Sequence, residues 1–502
     1  MLNKPGEKHQ RPHAILVAYP LQGHVIPSVH LAIKLASRGF TITFINTHSI
    51  HHQTSKAGPH GEDGDDPFAS VGKSGLDIRY ITISDGLPLG FDRSLNHDQF
   101  MAALLNVFSA HVEEEVEKIV KSGGPPVNCL IADTFFVWPS RVAKKFGLLS
   151  VSLWTEPALV FTLYYHLDLL RLNGHFGCIV VLLSEKNSNE YGPVLLQDAR
   201  EDPIDYVPGI QSIDPKDIMS YLQEMDTSTV CHHIIFNAFK DVKGADFVLC
   251  NTVQELEPET ISALQSKMAF FAIGPIFPPG FTKNIVATSL WSESDCTHWL
   301  NTRPPASVLY VSFGSYAHVT KSDLVEIANG LLLSKLSFVW VLRPDIVSSD
   351  DADPLPHEFK EETGDRAMII PWCSQKQVLS HPAIGGFLTH CGWNSILESI
   401  WCKVPLLCFP LLTDQFTNRK LVVDDWKIGI NLCNRKPVSR IEVSENINHL
   451  MSRKPMNNFR KKIEETKKML ENALTATGSS EKNMEQFIKD LEVTIQKRCN
   501  KE

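Results

Sequence analysis

Between Trp372 and Gln415 the chain reads WCSQKQVLSHPAIGGFLTHCGWNSILESIWCKVPLLCFPLLTDQ. Gly386–Leu388 has the apolar character of a buried strand, and it empties into a turn of small, hydrogen-bonding residues that starts a helix near Trp393. The first turn of a helix carries N–H groups without partners and the positive end of the helix dipole, so this junction is a natural anion site. His390, Asn394 and Ser395 add side-chain donors at the same place. The same residues have a plainer use: Asn394 and Ser395 cap helices well, and His390 can be a satisfied structural histidine. Taken alone, the segment leaves both uses open.

The elements around it must place that junction somewhere useful. Ala14–Tyr19 is a short apolar run of strand formers, followed by a turn at Pro20–Pro27, a helix over Ile26–Arg38, Gly39 at its end and a second strand at Thr41–Ile45. That is a βαβ unit. Further strands at Cys129–Ala132, Val151–Trp154 and Phe247–Leu249 alternate with helices at about Asp98–Lys121 and His232–Val242. Prolines and glycines interrupt the rhythm at Ile273–Phe281, and it resumes at Val308–Phe313. The second half then alternates strands (Phe338–Leu342, Ala367–Ile370, Gly386–Leu388, Leu406–Phe409, Ile428–Leu432) with helices (Lys321–Ser334, Trp393–Trp401, Thr413–Asp425, Arg440–Met451, Asn457–Leu474). The expected fold class is α/β, two Rossmann-like domains facing each other across a cleft, with ligands outside the carboxyl ends of the strands. The division expected is 1–272 for the first domain, 273–291 for a linker, 292–478 for the second domain, and 479–502 for a C-terminal helix returning to the first. His48–Gly75 and Asn187–Pro208 read as surface loops.

The Trp372–Gln415 segment closely resembles the signature box of the plant-type UDP-sugar glycosyltransferases, inverting enzymes with the two-domain GT-B fold. Trp372, Gln375, His381–Pro382, the GGF at 385–387, the HCGWNS at 390–395, Glu398, Pro405, Pro410, Asp414 and Gln415 fall on the family pattern in register, and PLQGHVIP at 20–27 and VSFGS at 311–315 extend the likeness to both halves. The resemblance implies that Trp372 stacks on uracil, that the Cys373 backbone bonds its edge, and that Glu398 and Gln375 take the ribose hydroxyls. Ser315, His390, Asn394 and Ser395 would hold the diphosphate, whose charge grows as it leaves. Trp393, Asp414 and Gln415 would read the sugar, with Gln at the last position pointing to UDP-glucose as donor co-substrate, and Thr155 matches a position that touches the sugar. His24 would be the general base, since an imidazole titrating near ~6.5 can take the proton of an attacking hydroxyl. Asp133 would hold its other nitrogen.

The implied activity is transfer of glucose to a hydroxyl, or a carboxyl, of a small lipophilic acceptor such as a flavonoid, phenolic or terpenoid. Another UDP-sugar donor, or a non-catalytic UDP-sugar-binding protein, is the alternative; retention of His24 speaks against the latter, because donor binding needs no base. The acceptor pocket is expected to draw on Pro88–Phe91, Phe135–Trp138, Trp154–Phe161 and the segment around Pro208–Tyr221. Lys403 stands where the family usually has Gly: it is strained if that place requires a positive φ and harmless if the place is only a loop tip, and the loop tip is the reading adopted.

Other signals are set aside. Gly72–Lys73–Ser74 lacks the Gly that a P-loop needs at position 67, which is Pro67. His48, His51 and His52 lack a metal-site arrangement, and Glu62–Asp66 lacks EF-hand spacing, so no metal and no cofactor beyond the donor is expected. A net charge of −9 is the wrong sign for a nucleic-acid binder. Eleven scattered cysteines without C-x-x-C, no secretory pattern, no sequon and no apolar run of membrane length lead to an expectation of a cytoplasmic protein without a membrane span, acting as a monomer.

Overall fold

A computed structural model describes residues 11–57, 66–176, 180–181, 194–195, 201–278, 280–282, 286, 288–347, 354–434 and 437–500. Seven strands build the first sheet: β1 (His13–Val17), β2 (Thr41–Thr47), β3 (Ile78–Ile83), β4 (Cys129–Asp133), β5 (Leu149–Trp154), β6 (Phe247–Cys250) and β7 (Phe270–Ala272). All its pairings are parallel, in the order β3-β2-β1-β4-β5-β6-β7. The second sheet, also parallel, comprises β8 (Val308–Ser312), β9 (Ser337–Val341), β10 (Ala367–Ile370), β11 (Ile384–Thr389), β12 (Leu406–Cys408) and β13 (Gly429–Asn431), in the order β10-β9-β8-β11-β12-β13. Strands such as β1, β4 and β11 are buried along their whole length, as parallel strands covered on both faces must be.

In each sheet the strand order reverses once, between β1 and β4 and between β8 and β11. Chains leaving the carboxyl ends of neighbouring strands there diverge to opposite faces and open a crevice. His24 lies just after β1, Asp133 ends β4, Ser315 follows β8 and His390 follows β11. The helices that matter to the crevices are α1 (Gln22–Ser37), α2 (Ala158–Tyr165), α3 (Val230–Asp241), α4 (Trp393–Cys402), α5 (Gln415–Lys420) and α6 (Ser479–Cys499). On α6, Met484, Phe487 and Leu491 are fully buried in the core of the first sheet, with Phe487 edge-on to Phe247 and Phe271.

Several local expectations change. The polar stretch at His48 is a helix, His48–Ala57, whose first turn is capped by Thr47 Oγ1 accepting from Ile50 N at 3.2 Å. A cap and the burial of Ser49, Ile50 and Thr54 outweigh its polar composition. Ile78–Ile83 and Phe270–Ala272 are strands that the sequence reading passed over. The helix expected from Thr413 starts at Gln415, because Thr413 has φ 54°. Of Asn187–Pro208, residues 187–193 and 196–200 lie outside the described residues, as do residues 62–65 of the acidic run; Val194–Leu195 pairs antiparallel with Val180–Val181. Among the described residues no helix is long and apolar enough to cross a membrane.

Candidate active site

The cleft between the sheets holds two adjoining cavities, of about 780 and 200 Å³, which share Gly23, Ser315 and His390. The larger one is built chiefly on the second sheet. Trp372 and Cys373 follow β10, and the start of α4 faces the same space. Gln375 Nε2 donates to Glu398 Oε2 at 2.8 Å and to Ser395 Oγ at 3.0 Å, while Tyr310 Oη donates to Gln375 Oε1 at 3.4 Å. Burial pushes the Glu398 carboxyl up, against the pull of Gln375 and the Lys376 charge. One wall is therefore a pre-bonded set of oxygens and amides suited to hydroxyl groups, beside a half-buried indole suited to a flat ring.

His390 sits where this wall meets the smaller cavity. A Cβ on Gly314 or Gly392 would fall 2.5 or 2.6 Å from its Nε2, so both neighbours are glycine for want of room. Burial and the nearby Arg343 charge push the imidazole down to about 4. A neutral ring here offers one N–H donor next to the orphan N–H groups of α4. Arg343, 1% exposed, donates to the carbonyls of Gly314 and Ala317 at 2.5 and 2.9 Å and pins the loop that carries Ser315. It escaped the sequence reading; a charged residue closing the apolar run Phe338–Leu342 was the available signal. Thr288, Ser289, Glu293 and Lys376 also line the larger cavity, the first two from a stretch read only as linker.

Two predicted site residues have other partners. Asn394 Nδ2 reaches across the cleft to the Gly23 carbonyl at 2.7 Å. That carbonyl is free because Pro27, four residues on in α1, has no N–H to give it. The indole N–H of Trp393 is taken by the Asn251 carbonyl at 2.7 Å, so that donor is already engaged.

The smaller cavity lies over the first sheet. His24 occupies the first turn of α1, and its Nδ1 is 2.8 Å from Asp133 Oδ2 and 2.9 Å from Thr155 Oγ1. With a carboxylate opposite, Nδ1 carries the proton and Nε2 is left as acceptor. Asp133, 1% exposed, also accepts from Phe135 N at 3.0 Å, so its orientation is fixed from two sides. Thr155 is turned toward the base; it appears in the lining of neither cavity. Tyr19 and Phe135 pack on the imidazole with ring centroids 5.4 and 5.7 Å away.

The rest of this cavity differs from expectation. Phe135, Tyr164 and Tyr221 line it, but Pro88–Phe91 does not, because Arg93 pairs with Asp85 at 2.8 Å and folds that loop back on itself. His97 and Met101 take its place, with Cys231, Ile234 and Ile235 from α3. His97 is bonded to Tyr316 Oη at 2.6 Å and lies 3.2 Å from Cys231 Sγ. Asp414 and Gln415 also line this cavity. Asp414 accepts from Asn418 and Thr413 at 2.6 and 2.7 Å, and burial pushes its carboxyl up. Gln415 Oε1 accepts from Leu411 N and Leu412 N at 2.9 and 3.1 Å, which leaves its amide end to meet a ligand. Among the described residues no group of three or more His, Cys, Asp or Glu is arranged to hold a metal ion.

Lys403 ends α4 at φ 59°, ψ 36°, in the left-handed region. Its N–H and that of Val404 close the helix onto Ile400 and Ser399 at 3.1 and 3.0 Å. The loop-tip reading is overturned: the backbone does demand the conformation that Gly adopts most readily.

Two parallel sheets whose switch points face each other, with an anion-seeking helix start opposite a histidine–aspartate pair, make the GT-B architecture of nucleotide-sugar transferases. Residues 291–460 match the family model "UDP-glucoronosyl and UDP-glucosyl transferase". The chain is 62% identical to UDP-glycosyltransferase 86A2 of Arabidopsis thaliana over 486 residues, covering 96% of this chain and 95% of that protein. It is 35% identical to 7-deoxyloganetin glucosyltransferase of Gardenia jasminoides, covering 97% and 98%. Os79 of O. sativa, solved in complex with UDP, superposes with a TM-score of 0.77 at 25% identity over 95% of this chain and all of that one. The chain belongs to the plant UDP-glycosyltransferases of glycosyltransferase family 1 and is a glycosyltransferase with a UDP-sugar donor.

Proposed function

We propose that the enzyme moves glucose from UDP-glucose to an oxygen of a small lipophilic acceptor in one in-line displacement that inverts the anomeric centre. The donor takes the larger cavity, uracil on Trp372 and ribose at Gln375 and Glu398, with the diphosphate between His390, Ser315, Ser395 and the start of α4. The sugar lies toward Asp414 and the Gln415 amide, and the acceptor takes the smaller cavity. The observation that carries this reading is the His24–Asp133 pair, whose unoccupied Nε2 belongs to a mostly apolar cavity continuous with the donor cavity. His24 Nε2 takes the acceptor proton as the oxygen bonds to the anomeric carbon; the bond to UDP breaks, its electron pair leaves on the diphosphate, and Asp133 stabilises the imidazolium.

The name of the Gardenia relative, a glucosyltransferase, supports glucose as donor. So does Gln415, whose carbonyl is held by two main-chain N–H groups so that its amide is a fixed donor. The test is UDP release from separate UDP-sugars with a mixed pool of flavonoid, phenolic and terpenoid acceptors, followed by product mass. Acceptor-dependent release greatest with UDP-glucose, and a hexose added to the product, is the expected result. Faster turnover of UDP-galactose, UDP-xylose or UDP-glucuronate would overturn the donor assignment.

A further inference from the structure

The smaller cavity contains one polar group that the transfer step leaves unused. Glu156 follows Thr155 at the exit of β5, just before Pro157 turns the chain into α2. It is 9% exposed, it lines the cavity, and its Oε2 has no hydrogen-bond partner. Other buried carboxyls in this part of the molecule are all engaged: Asp133 with His24, Asp414 with Asn418 and Thr413, and Glu257 with the N–H groups of Ala158 and Leu159. A buried carboxyl with an unpaired oxygen is costly, so a ligand group that engages the Glu156 carboxyl at the cavity wall is favoured over one that cannot.

The surroundings restrict what that group can be. Burial, with the Asp414 and Asp133 charges behind it, holds the Glu156 carboxyl well above the usual range and favours its neutral form. A neutral carboxyl both donates and accepts, which matches a hydroxyl. Neither Lys nor Arg lines the cavity among the described residues; the titratable groups that act on Glu156 are Asp414, Asp133 and Tyr164. A carboxylate entering would meet Asp414 and Asp133 with no fixed cation to offset them.

We propose that Glu156 is a specificity residue that reads a second hydroxyl on the acceptor, so that the enzyme selects uncharged polyhydroxylated acceptors and forms glycosides in preference to sugar esters. This rests on the reading of the smaller cavity as the acceptor site. The acceptor is then anchored at two points: the reacting oxygen at His24 and the second hydroxyl at Glu156.

The experiment uses the full chain, UDP-glucose and three matched phenols that differ only in a remote CH2OH, CH3 or carboxylate group. The wild type should favour the alcohol over the methyl compound by about tenfold or more in kcat/KM, and the carboxylate should be the poorest. Glu156→Leu should erase the advantage of the alcohol, and Glu156→Gln, which also donates and accepts, should keep most of it; the KM for UDP-glucose should stay unchanged in both. A carboxylate preferred by the wild type, an alcohol preference that survives Glu156→Leu, or a shift confined to the KM for UDP-glucose would overturn the proposal, the last by making Glu156 a sugar contact. If UDP binds but none of the three phenols is used or competes, it is the acceptor-site reading that fails, and the proposal with it. Infrared difference spectra guard against a misfolded variant: the band of a protonated carboxyl at neutral pH should be lost in Glu156→Gln and should shift in the wild type when the alcohol binds.

Discussion

Helices α1 and α4 hold equivalent places in the two domains, each starting at the carboxyl end of a central strand and pointing its first turn into the cleft, yet they do different work. The start of α4 offers main-chain N–H groups, and its side chains Ser395 and Glu398 are already bonded to Gln375. Such a site is ready for a charged, polar ligand without rearrangement. The start of α1 offers one titratable side chain, His24, held by Asp133 and Thr155, beside aromatic rings. One helix is a binding surface and the other carries a single reactive group. The pair is joined by the Asn394–Gly23 hydrogen bond, which exists because Pro27 leaves a carbonyl of α1 unpaired.

That contrast can be broken experimentally. The largest effect expected is on α1: His24→Ala should lower kcat by about 10²–10⁴-fold while calorimetry finds UDP affinity little changed. An equal loss of both would mean that His24 supports donor binding. On α4, Glu398→Ala should act the opposite way, weakening UDP about tenfold or more with a smaller effect on the step measured at saturating donor. Unchanged UDP affinity would remove Glu398 from the ribose site.

Stability separates the two helices again. His30, buried in α1 with neither ring nitrogen paired, is pushed down to about 3 by burial and by the Lys376 charge. A free histidine titrates near ~6.5, so between these values the unfolded chain binds a proton that the native one refuses. Its contribution is present above ~6.5 and is lost as pH falls toward about 3. Replacing it by Leu should raise stability at pH 7 by about 1–3 kcal/mol and flatten the loss between pH 6.5 and 4.5 in urea titrations. His390, pushed down to about 4, leaves part of that slope in place. An acid limb identical to wild type would place the titration elsewhere. The smallest effect concerns the end of α4: Lys403→Gly should stabilise by about 1 kcal/mol, read as a small rise in Tm, by relieving a left-handed non-glycine residue. The Lys403–Glu464 pair that it removes is exposed and 3.9 Å apart, worth little against that gain. A fall in Tm would show that the side chain matters more than the backbone.

Much of the α4 side was legible in the residues because it is contiguous: strand, turn, helix and the following loop run from Trp372 to Gln415, and each short-range requirement leaves its mark on residue type. The α1 side was legible at His24 and Asp133 and, by position in the chain, at the segments that supply Phe135, Glu156 and Tyr221. The rest of its wall comes from Tyr19, His97, Met101, Cys231, Ile234 and Ile235, which no local pattern relates. The sequence by itself determined the alternation of strands and helices, and hence the parallel sheets, since apolar periodicity and turn residues act over a few positions. It also determined which groups stand at the strand ends. Only the tertiary structure decided that Asn394 and Trp393 bridge the cleft, that Thr155 turns to the base, that Lys403 needs a left-handed backbone and that Glu156 is buried without a partner. Those outcomes depend on which distant surfaces meet, and on how much water their meeting leaves behind.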